Sequence, residues 1–338
     1  MNGLPQPDID TAAPNPVERL TRLAETDMAR VERVINERMG SQTPVIPKLA
    51  RYLIDAGGKR IRPLITVSTA HMLGYSGAGH VSLAAAVEFI HTATLLHDDV
   101  VDDSQLRRGK ESANLVWGNP HSVLVGDFLF ARAFMLMVEA GSMEALDVLS
   151  KAASTIAEGE VRQLVAAGDV NTTRDVYMDI IGAKTAALFA AAAQVSPIIA
   201  GRGRDEVERL ETYGRELGLA FQLVDDALDY GGVAADLGKN TGDDFREGKI
   251  TLPVALALEK ADGETRSFWE RAMGERDQTE ADLERAITLI NEAGALDATL
   301  EAARGHAARA QAALDIFPSN PWRDALSGLA EFVVERAY

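Results

Sequence analysis

The sequence contains no cysteine among its 338 residues. Disulfide bonds, zinc–thiolate sites and thiol nucleophiles are therefore excluded, and a cytoplasmic, reducing location is compatible with the composition. No uninterrupted apolar run reaches the roughly 18 residues that a membrane span needs. The stretch 1–16 is acidic and proline-rich without an apolar core, so we expect neither a signal peptide nor a transit peptide there.

Basic residues are scarce relative to acidic ones. The chain has 34 Lys and Arg against 51 Asp and Glu, which gives a net charge of −17. This balance argues against nucleic acid as a partner. Hydrophobic residues make up 46% of the chain, and no linker-like stretch interrupts its middle. We therefore predict one domain over residues 17–338, preceded by a disordered or extended tail over residues 1–16.

Helical periodicity runs through almost the whole sequence, beginning with an amphipathic segment over Pro16–Met39. Further helices are predicted around residues 44–56, 60–73, 81–104, 119–139, 143–167, 173–200, 204–230, 250–260, 266–274, 278–293, 296–315 and 320–337. No alternating pattern typical of β-strands competes with this periodicity. The sequence thus predicts an all-α fold, a large single-domain helical bundle whose site lies in a central cavity between facing helices.

An aspartate-rich motif occurs twice, and both copies fall within predicted helices. The six aspartates are Asp98, Asp99 and Asp102 in the first motif and Asp225, Asp226 and Asp229 in the second. The outer aspartates of each motif are four residues apart and share one helix face, where like charges repel each other. Magnesium held by carboxylates and substrate phosphates would offset that repulsion. The flanking sequences do not align, which favours two converging helices around a diphosphate over an internal duplication.

Basic side chains gather beside these motifs. Lys59 and Arg62 are three residues apart at a predicted helix start, where backbone N–H groups suit a phosphate. The other members follow the two aspartate motifs and are Arg107, Arg108, Lys239 and Lys249. Any one of them is compatible with a solvated surface charge. Their joint placement beside two acidic motifs favours phosphate binding.

Three polar residues near the motifs have less specific positions. His91 lies seven residues before Asp98, two turns away on the same helix face. A lone histidine there is as compatible with a satisfied core residue as with a ligand. Thr185 and Gln222 are likewise compatible with ordinary helix positions.

Five segments together resemble the successive signature regions of the trans-isoprenyl diphosphate synthases. They are GGKRIRP, EFIHTATLLHDDVVDDSQLRRG, GAKTAALF, GLAFQLVDDALDY and GKNTGDDFREGKITLP. The resemblance covers roughly residues 45–260 and is greatest to the long-chain members of quinone biosynthesis. It implies the isoprenoid-synthase type of bundle and a Mg²⁺-dependent head-to-tail condensation. Isopentenyl diphosphate would be added to an allylic diphosphate, farnesyl or geranylgeranyl, up to an octaprenyl to decaprenyl product.

The resemblance also implies a role for each matching residue. The metal ligands, for roughly three Mg²⁺ ions with substrate bound, would be Asp98, Asp102, Asp225 and Asp229, supported by Asp99 and Asp226. The isopentenyl diphosphate site would comprise Lys59, Arg62, His91 and Arg108. The allylic diphosphate site would comprise Arg107, Lys184, Lys239 and Lys249, with Thr185 and Gln222 near the developing carbocation. Because the motifs contain no strong general base, we expect the departing diphosphate to take the proton.

Product length is expected to depend on the cavity below the first motif. Ala93 and Thr94 lie about one turn before Asp98, and the small Ala93 predicts an open tunnel, because short-chain relatives carry a bulky aromatic near there. Further candidates for the wall and floor of the tunnel are Ile90, Phe130 and Phe134.

Several alternatives stay open from the sequence. A class I terpene cyclase also uses an aspartate-rich helix and Mg²⁺, but it needs no isopentenyl site. A regulatory subunit of a heteromeric prenyl synthase commonly loses the aspartates, which are all present here. The resemblance implies a homodimer, whereas the apolar stretch 124–138 is equally compatible with an ordinary core helix. A lipid-like product makes peripheral membrane contact a further expectation.

Overall fold

The computed structural model describes residues 15–55, 57–231 and 242–335. Within these ranges the α-helices are α1 (Pro16–Arg38), α2 (Val45–Ile54), α3 (Ile61–Met72), α4 (Gly79–Val101), α5 (Ala113–Trp117), α6 (Asn119–Glu139), α7 (Met143–Ala166), α8 (Arg174–Ile181), α9 (Ala187–Ile199), α10 (Arg204–Tyr230), α11 (Asp243–Arg246), α12 (Leu252–Glu259), α13 (Gly263–Trp269), α14 (Asp282–Glu292), α15 (Ala295–Ala313) and α16 (Pro321–Glu335). Two short strands, β1 (Leu106–Arg107) and β2 (Lys110–Glu111), form an antiparallel hairpin.

The all-α prediction is confirmed, and the predicted helix over 204–230 coincides with α10. Most of the predicted tail, residues 1–14, lies outside the described residues. Of its last two residues, Asn15 is the N-cap of the first helix and Pro16 begins that helix. Pro16 occupies the first turn of α1, and the side chain of Asn15 accepts a hydrogen bond of 2.9 Å from the backbone N–H of Glu18. Asparagine before proline is a favourable helix start, which explains this boundary.

The two helices that carry the aspartate motifs lie at the centre of the bundle. Helix α4 packs against α3, α6 and α9, and α10 packs against α9 and α15. Small residues let α9 and α10 approach closely. A Cβ atom on Gly214 would lie 2.2 Å from the carbonyl oxygen of Phe189 and 2.7 Å from the Cα of Ala190. The alanine-rich segment after Lys184 therefore serves close helix contact beneath the site.

Three helical stretches are long and apolar enough, by length and composition, to cross a membrane. They are Gly79–Val101, Asn119–Glu139 and Arg174–Ile199. The expectation that the chain holds no such stretch was drawn from uninterrupted apolar runs, and it is wrong by this measure. The percentages of the 18-residue apolar portion that are buried inside the protein are 72% in the first stretch, 39% in the second and 67% in the third.

A hydrogen-bonded hub fixes the end of the bundle remote from the aspartate motifs. Asp27 on α1 accepts hydrogen bonds from His71 at 2.7 Å, from His80 at 2.8 Å and from Arg30 at 2.7 Å. Burial alone would raise the pKa of Asp27, but these hydrogen bonds lower it well below its usual value. His80 lies near the start of α4, about 27 Å along the helix from Asp98. The hub therefore fixes α1, α3 and α4 without contributing to the site.

The close approach of α9 and α10 generates a test of packing. Gly214→Ala places a methyl group against the backbone of α9, so we expect a loss of about 1–3 kcal/mol in the free energy of unfolding. Gly203→Ala, at the N-cap of the same helix, meets no atom within 4 Å and should change stability by less than about 0.5 kcal/mol. Denaturant unfolding of both variants measures the difference. Equal stabilities would contradict the close packing.

Candidate functional site

The first aspartate motif lies at the C-terminal end of α4. Asp98 and Asp99 belong to the last turn and Asp102 is the C-cap. Asp103 has φ +50, and the N–H of Ser104 donates to the carbonyl of Asp99 at 3.0 Å. This is a Schellman ending, in which the residue after the cap adopts the left-handed conformation. Asp103, the residue that follows the motif, thus ends the helix, and aspartate is one of the few side chains that tolerate this conformation.

The hairpin that follows separates two adjacent arginines. Its turn residues, Arg108 and Gly109, have φ values of +53 and +75, as a two-residue type I′ turn requires. The side chain of Arg107 returns to α4, where its Nε donates to Oδ1 of Asp99 at 2.8 Å and its Nη2 contacts the same oxygen. The Arg108 guanidinium instead lies against Gly58. Arg107, expected at the allylic diphosphate, here holds the buried Asp99.

Arg108 forms one side of a basic pocket with residues of α3 and α4. Nη1 of Arg62 lies 3.3 Å from Nε2 of His91, and the Arg62 guanidinium stacks 4.4 Å from the ring centre of Phe189. Burial lowers the pKa of Arg62 to about 10. Burial, together with Arg62 and Arg108, lowers the pKa of His91 well below its usual value. His91 is therefore neutral at physiological pH and accepts a hydrogen bond from Arg62.

Two further charged residues border this basic pocket. Glu88, one turn before His91, is buried, and burial raises its pKa while Arg60 and Arg62 oppose the shift. Lys59 is exposed on the loop before α3, and its Nζ lies 5.3 Å from the ring centre of Phe332 on α16. The structure thus brings Arg62, His91 and Arg108 together. The ammonium group of Lys59 points to α16 instead.

One turn of π-helix, Gly182–Ala186, carries the residues that reach both motifs. Nζ of Lys184 lies 3.9 Å from Oδ2 of Asp98. The hydroxyl of Thr185 donates to Oε1 of Gln222 at 2.8 Å, on the helix of the second motif. A π-helical turn holds one more residue than an α-helical turn and is frequent at functional sites. Consecutive side chains on this turn therefore face α4 and α10 at the same time.

The second motif contains a hydrogen-bonded, buried carboxylate. Nε2 of Gln222 donates to Oδ1 of Asp226 at 2.8 Å, and the hydroxyl of Tyr177 donates to the other oxygen. Burial raises the pKa of Asp226 to about 7, and neighbouring carboxylates add to the shift while the two donors oppose it. Both oxygens of Asp226 are therefore engaged within the protein, as a supporting role requires.

Asp229 and Asp225 occupy different environments. The carboxylate of Asp229 accepts hydrogen bonds from the backbone N–H groups of Gly242, Asp243 and Asp244 at 3.1, 3.2 and 3.0 Å. It thereby caps α11, and its predicted metal contact stays a prediction. Asp225 is half-buried, and its negative charge acts on Arg62. The second motif therefore borders the basic pocket through Asp225.

A lysine from the segment between α11 and α12 contacts the first motif from the other side. Nζ of Lys249 lies 3.0 Å from Oδ2 of Asp102 and 2.5 Å from a carboxylate oxygen of Glu247. Its backbone N–H donates to the carbonyl of Asp244 at 2.9 Å. Lys239, which was predicted to face the allylic diphosphate, lies outside the described residues.

The carboxylates around this centre suit a hard divalent cation. The side chains of Asp98 and Asp102 present oxygen atoms toward lysines, and Oδ2 of Asp99 is buried without a hydrogen-bond partner among the described residues. Burial raises the pKa of Asp98 to about 7, with Lys184 opposing the shift and Glu160 adding to it. A donor set made only of oxygen atoms matches the preferences of Mg²⁺ and Ca²⁺.

A family model described as polyprenyl synthetase matches residues 43–290, more than half of the chain. The chain belongs to the polyprenyl synthetase family. It is accordingly a prenyltransferase. The chain is 48% identical over 320 residues to the octaprenyl diphosphate synthase of Escherichia coli, covering 95% of this chain and 99% of that one.

Two solved structures of polyprenyl synthases share the fold. The polyprenyl synthase of Caulobacter crescentus, complexed with calcium and isoprenyl diphosphate, is 59% identical with a TM-score of 0.92, covering 96% of this chain and 99% of that one. The decaprenyl diphosphate synthase of Rhodobacter capsulatus is 52% identical with a TM-score of 0.93, covering 96% and 100%.

The residues predicted to line a prenyl tunnel divide into two groups. Ala93 and Ile90 are fully buried on α4, and Thr94 beside them is half-buried. Phe130 on α6 is half-buried as well. Phe134 is 43% exposed on the outer face of α6, so it does not fit the predicted floor of a tunnel within this chain. The sequence pattern missed this because α6 is apolar on nearly all sides.

Several functional neighbours were missed from the sequence of this polyprenyl synthetase. Glu160 contacts Lys184, Glu247 contacts Lys249, and Tyr177 contacts Asp226. An isolated glycine within a helical pattern, Gly159, was the one available signal, because such glycines often mark close packing. A Cβ atom on Gly159 would lie 2.9 Å from the backbone nitrogen of Lys184. Nothing in the sequence indicates which segment makes that contact.

The buried carboxyl of Asp226 generates a pH test. Its folded-state pKa is about 7, above the usual 3.8. The protonated form therefore stabilises the fold, and this stabilisation is fully present below about pH 3.8. This stability is lost as pH rises through about 7, because the ionised form is then buried. With metal chelated, we expect wild-type protein to lose stability between pH 6 and 8, and Asp226→Asn to lose about 1 kcal/mol less. Thermal unfolding at both pH values measures this, and identical pH slopes would contradict the assignment.

Proposed function

We propose that this chain is a long-chain trans-polyprenyl diphosphate synthase, which adds isopentenyl diphosphate repeatedly to an allylic diphosphate. One observation carries the proposal. Lys184 and Thr185, adjacent on one π-helical turn, lie beside the first and second aspartate motifs respectively. A single diphosphate would therefore be in reach of both motifs. The relatives named octaprenyl and decaprenyl diphosphate synthases support the long product. Its use as a quinone side chain is what the family resemblance implies.

Two separate anion sites support a reaction between two diphosphates. The basic pocket of Arg62, His91 and Arg108 offers cations beside the acidic centre and suits isopentenyl diphosphate. The acidic centre suits an allylic diphosphate, farnesyl or geranylgeranyl, whose charge is offset by metal. The calcium and isoprenyl diphosphate in the Caulobacter crescentus structure support a metal–diphosphate complex.

We propose Mg²⁺ as the metal, with roughly three ions when substrate is bound. Asp98 and Asp102 would hold it from α4, and Asp225 would hold it from α10. When bound, Mg²⁺ supplies positive charge that stabilises the diphosphate leaving group.

The side chains of this protein act on the reacting groups as follows. Lys184 and Lys249 donate to the diphosphate oxygens as the allylic C–O bond breaks and its electron pair leaves with the diphosphate. The oxygen dipoles of Thr185 and Gln222 face the allylic cation. The alkene of isopentenyl diphosphate then forms the new C–C bond, and its lost proton passes to the departed diphosphate. Neutral His91 with Arg62 holds the isopentenyl diphosphate in place.

The assembly and location of the enzyme belong to the same proposal. Helix α6 exposes four large apolar side chains, which are Leu124, Phe134, Met135 and Val138. The family resemblance implies that a second copy of this chain covers them. A homodimer would bury them. A cytoplasmic location and peripheral membrane contact during product release remain predictions, as does the absence of a nucleic-acid partner.

The basic pocket disfavours the cyclase alternative. A class I terpene cyclase binds a single diphosphate. Such an enzyme does not need a second cationic site, so the burial of Arg62 beside His91 and Arg108 would have no function in it. The retention of all six motif aspartates disfavours a regulatory subunit.

The direct experiment incubates the purified protein with farnesyl diphosphate, labelled isopentenyl diphosphate and Mg²⁺. Products are dephosphorylated and separated by chain length. We expect a ladder that ends at a discrete chain of about eight to ten isoprene units, as the long-chain resemblance implies. A released cyclic hydrocarbon, or no elongation, would overturn the proposal.

Chain length generates a graded prediction. Ala93 is fully buried on α4, about one turn below Asp98. Ala93→Phe should shorten the main product markedly while allylic diphosphate is still consumed, because the ring blocks the path of the chain. Ala93→Leu should give an intermediate length. Chromatography of the dephosphorylated products measures both, and unchanged length in both variants would contradict this wall position.

The Gly57-Gly58 turn offers a matched pair of variants for the basic pocket. Both glycines have positive φ, +87 and +142, so alanine strains the backbone at either position. A Cβ on Gly58 would lie 3.0 Å from both Nη atoms of Arg108, whereas one on Gly57 meets nothing within 4 Å. Gly58→Ala should raise the KM for isopentenyl diphosphate about tenfold more than Gly57→Ala. Steady-state kinetics tests this, and equal KM values would refute a role for the Arg108 contact.

A further inference from the structure

Each outer aspartate of the first motif shares a lysine with a glutamate from outside both motifs. Nζ of Lys184 is 2.8 Å from Glu160 and 3.9 Å from Asp98. Nζ of Lys249 is 2.5 Å from a carboxylate oxygen of Glu247 and 3.0 Å from one of Asp102. In both Glu–Lys–Asp clusters the ammonium group lies nearer to the glutamate than to the motif aspartate.

The backbone fixes both glutamates beside their lysines. Gly159 lets α7 touch the π-helical turn, because a Cβ there would lie 2.8 Å from the Cβ of Ala183. Glu160 therefore follows directly after the contact point. Glu247 is the C-cap of α11, and Gly248 with φ +68 turns the chain so that Lys249 returns toward it. The lysines and glutamates are half-buried, which strengthens their interaction relative to exposed pairs.

We propose that Glu160 and Glu247 are positioning residues that compete with Asp98 and Asp102 for the ammonium groups of Lys184 and Lys249. Lys184 is thereby held 3.9 Å from Asp98, and Lys249 divides its hydrogen bonds between Asp102 and Glu247. Both aspartates are then more available to a divalent cation, and the lysines stand ready for the diphosphate. This inference rests on the proposed function of the site. An ammonium group on a carboxylate competes with a metal ion for the same oxygens and repels it. The glutamates act by reducing that competition.

The Glu160 cluster allows the clearest test. In Glu160→Gln, Asp98 becomes the remaining acidic partner of Lys184 in this cluster, so the ammonium group moves onto the Asp98 carboxylate. We expect the Kd for Mn²⁺, a spectroscopic substitute for Mg²⁺, to rise about three- to tenfold. The free Mn²⁺ signal in electron paramagnetic resonance, recorded without substrate, measures this Kd. Glu158→Gln is the matched control, because Glu158 lies on the same helix and contacts Arg162 instead.

A double-mutant cycle separates positioning from simple loss of negative charge. In a Lys184→Gln background no ammonium group competes for Asp98, so Glu160→Gln should leave the Kd for Mn²⁺ unchanged within about twofold. An undiminished effect in that background would overturn the proposal and assign the change to charge alone. A general loss of structure would appear in both backgrounds and in the thermal unfolding of the variants. Glu247→Gln with Lys249→Gln repeats the cycle at Asp102.

The same measurements distinguish failure of this inference from failure of the proposed function. Wild-type protein that binds no Mn²⁺ and elongates no allylic diphosphate contradicts both. Wild-type protein that binds Mn²⁺ and elongates its substrate, but shows no coupling between Glu160 and Lys184, contradicts the positioning role alone.

Discussion

Repulsion among buried carboxylates is the constraint on which the rest of this structure depends. The two motifs place their aspartates between central helices, where burial raises the pKa of Asp98 and Asp226 to about 7. Exposed carboxylates at helical spacing cost little, whereas buried ones need cations or hydrogen bonds. The protein supplies these by different means. Arg107 donates to one oxygen of Asp99, Tyr177 donates to Asp226, and backbone amides donate to Asp229. Asp98 and Asp102 have lysines as their partners, and a bound cation could replace these.

Local backbone conformations aim the charged side chains. The Schellman ending at Asp103 stops α4 where its carboxylates reach the centre of the bundle. The type I′ turn at Arg108 sends adjacent arginines to two sites, one to Asp99 and one to Gly58. The π-helical turn presents Lys184 and Thr185 to opposite helices. Each of these conformations departs from a regular helix, and each occurs where a charged side chain is oriented toward a specific partner.

The sequence predicted the elements of the fold well because the hydrophobic period is strong and glycines separate the segments. It also predicted several charged residues that the structure brings together, such as Asp98 with Lys184 and Asp102 with Lys249, since aspartates four apart have a direct physical meaning. It could not predict pairings that depend on tertiary contact. Glu160 carries no local pattern, and only the approach of α7 to the π-helical turn brings it to Lys184. The exposure of Phe134 in the single chain was not predicted, because an apolar helix does not reveal which of its faces is covered.

The most direct test of the account asks whether the two motifs bind one diphosphate. Binding of a non-reactive allylic thiolodiphosphate in the presence of Mg²⁺ would be measured by calorimetry for wild type, Asp98→Asn, Asp225→Asn and the double variant. A shared site predicts strong non-additivity, so that each single variant loses nearly as much affinity as the double variant. Losses that add independently would show that the motifs serve separate sites, and would contradict the account.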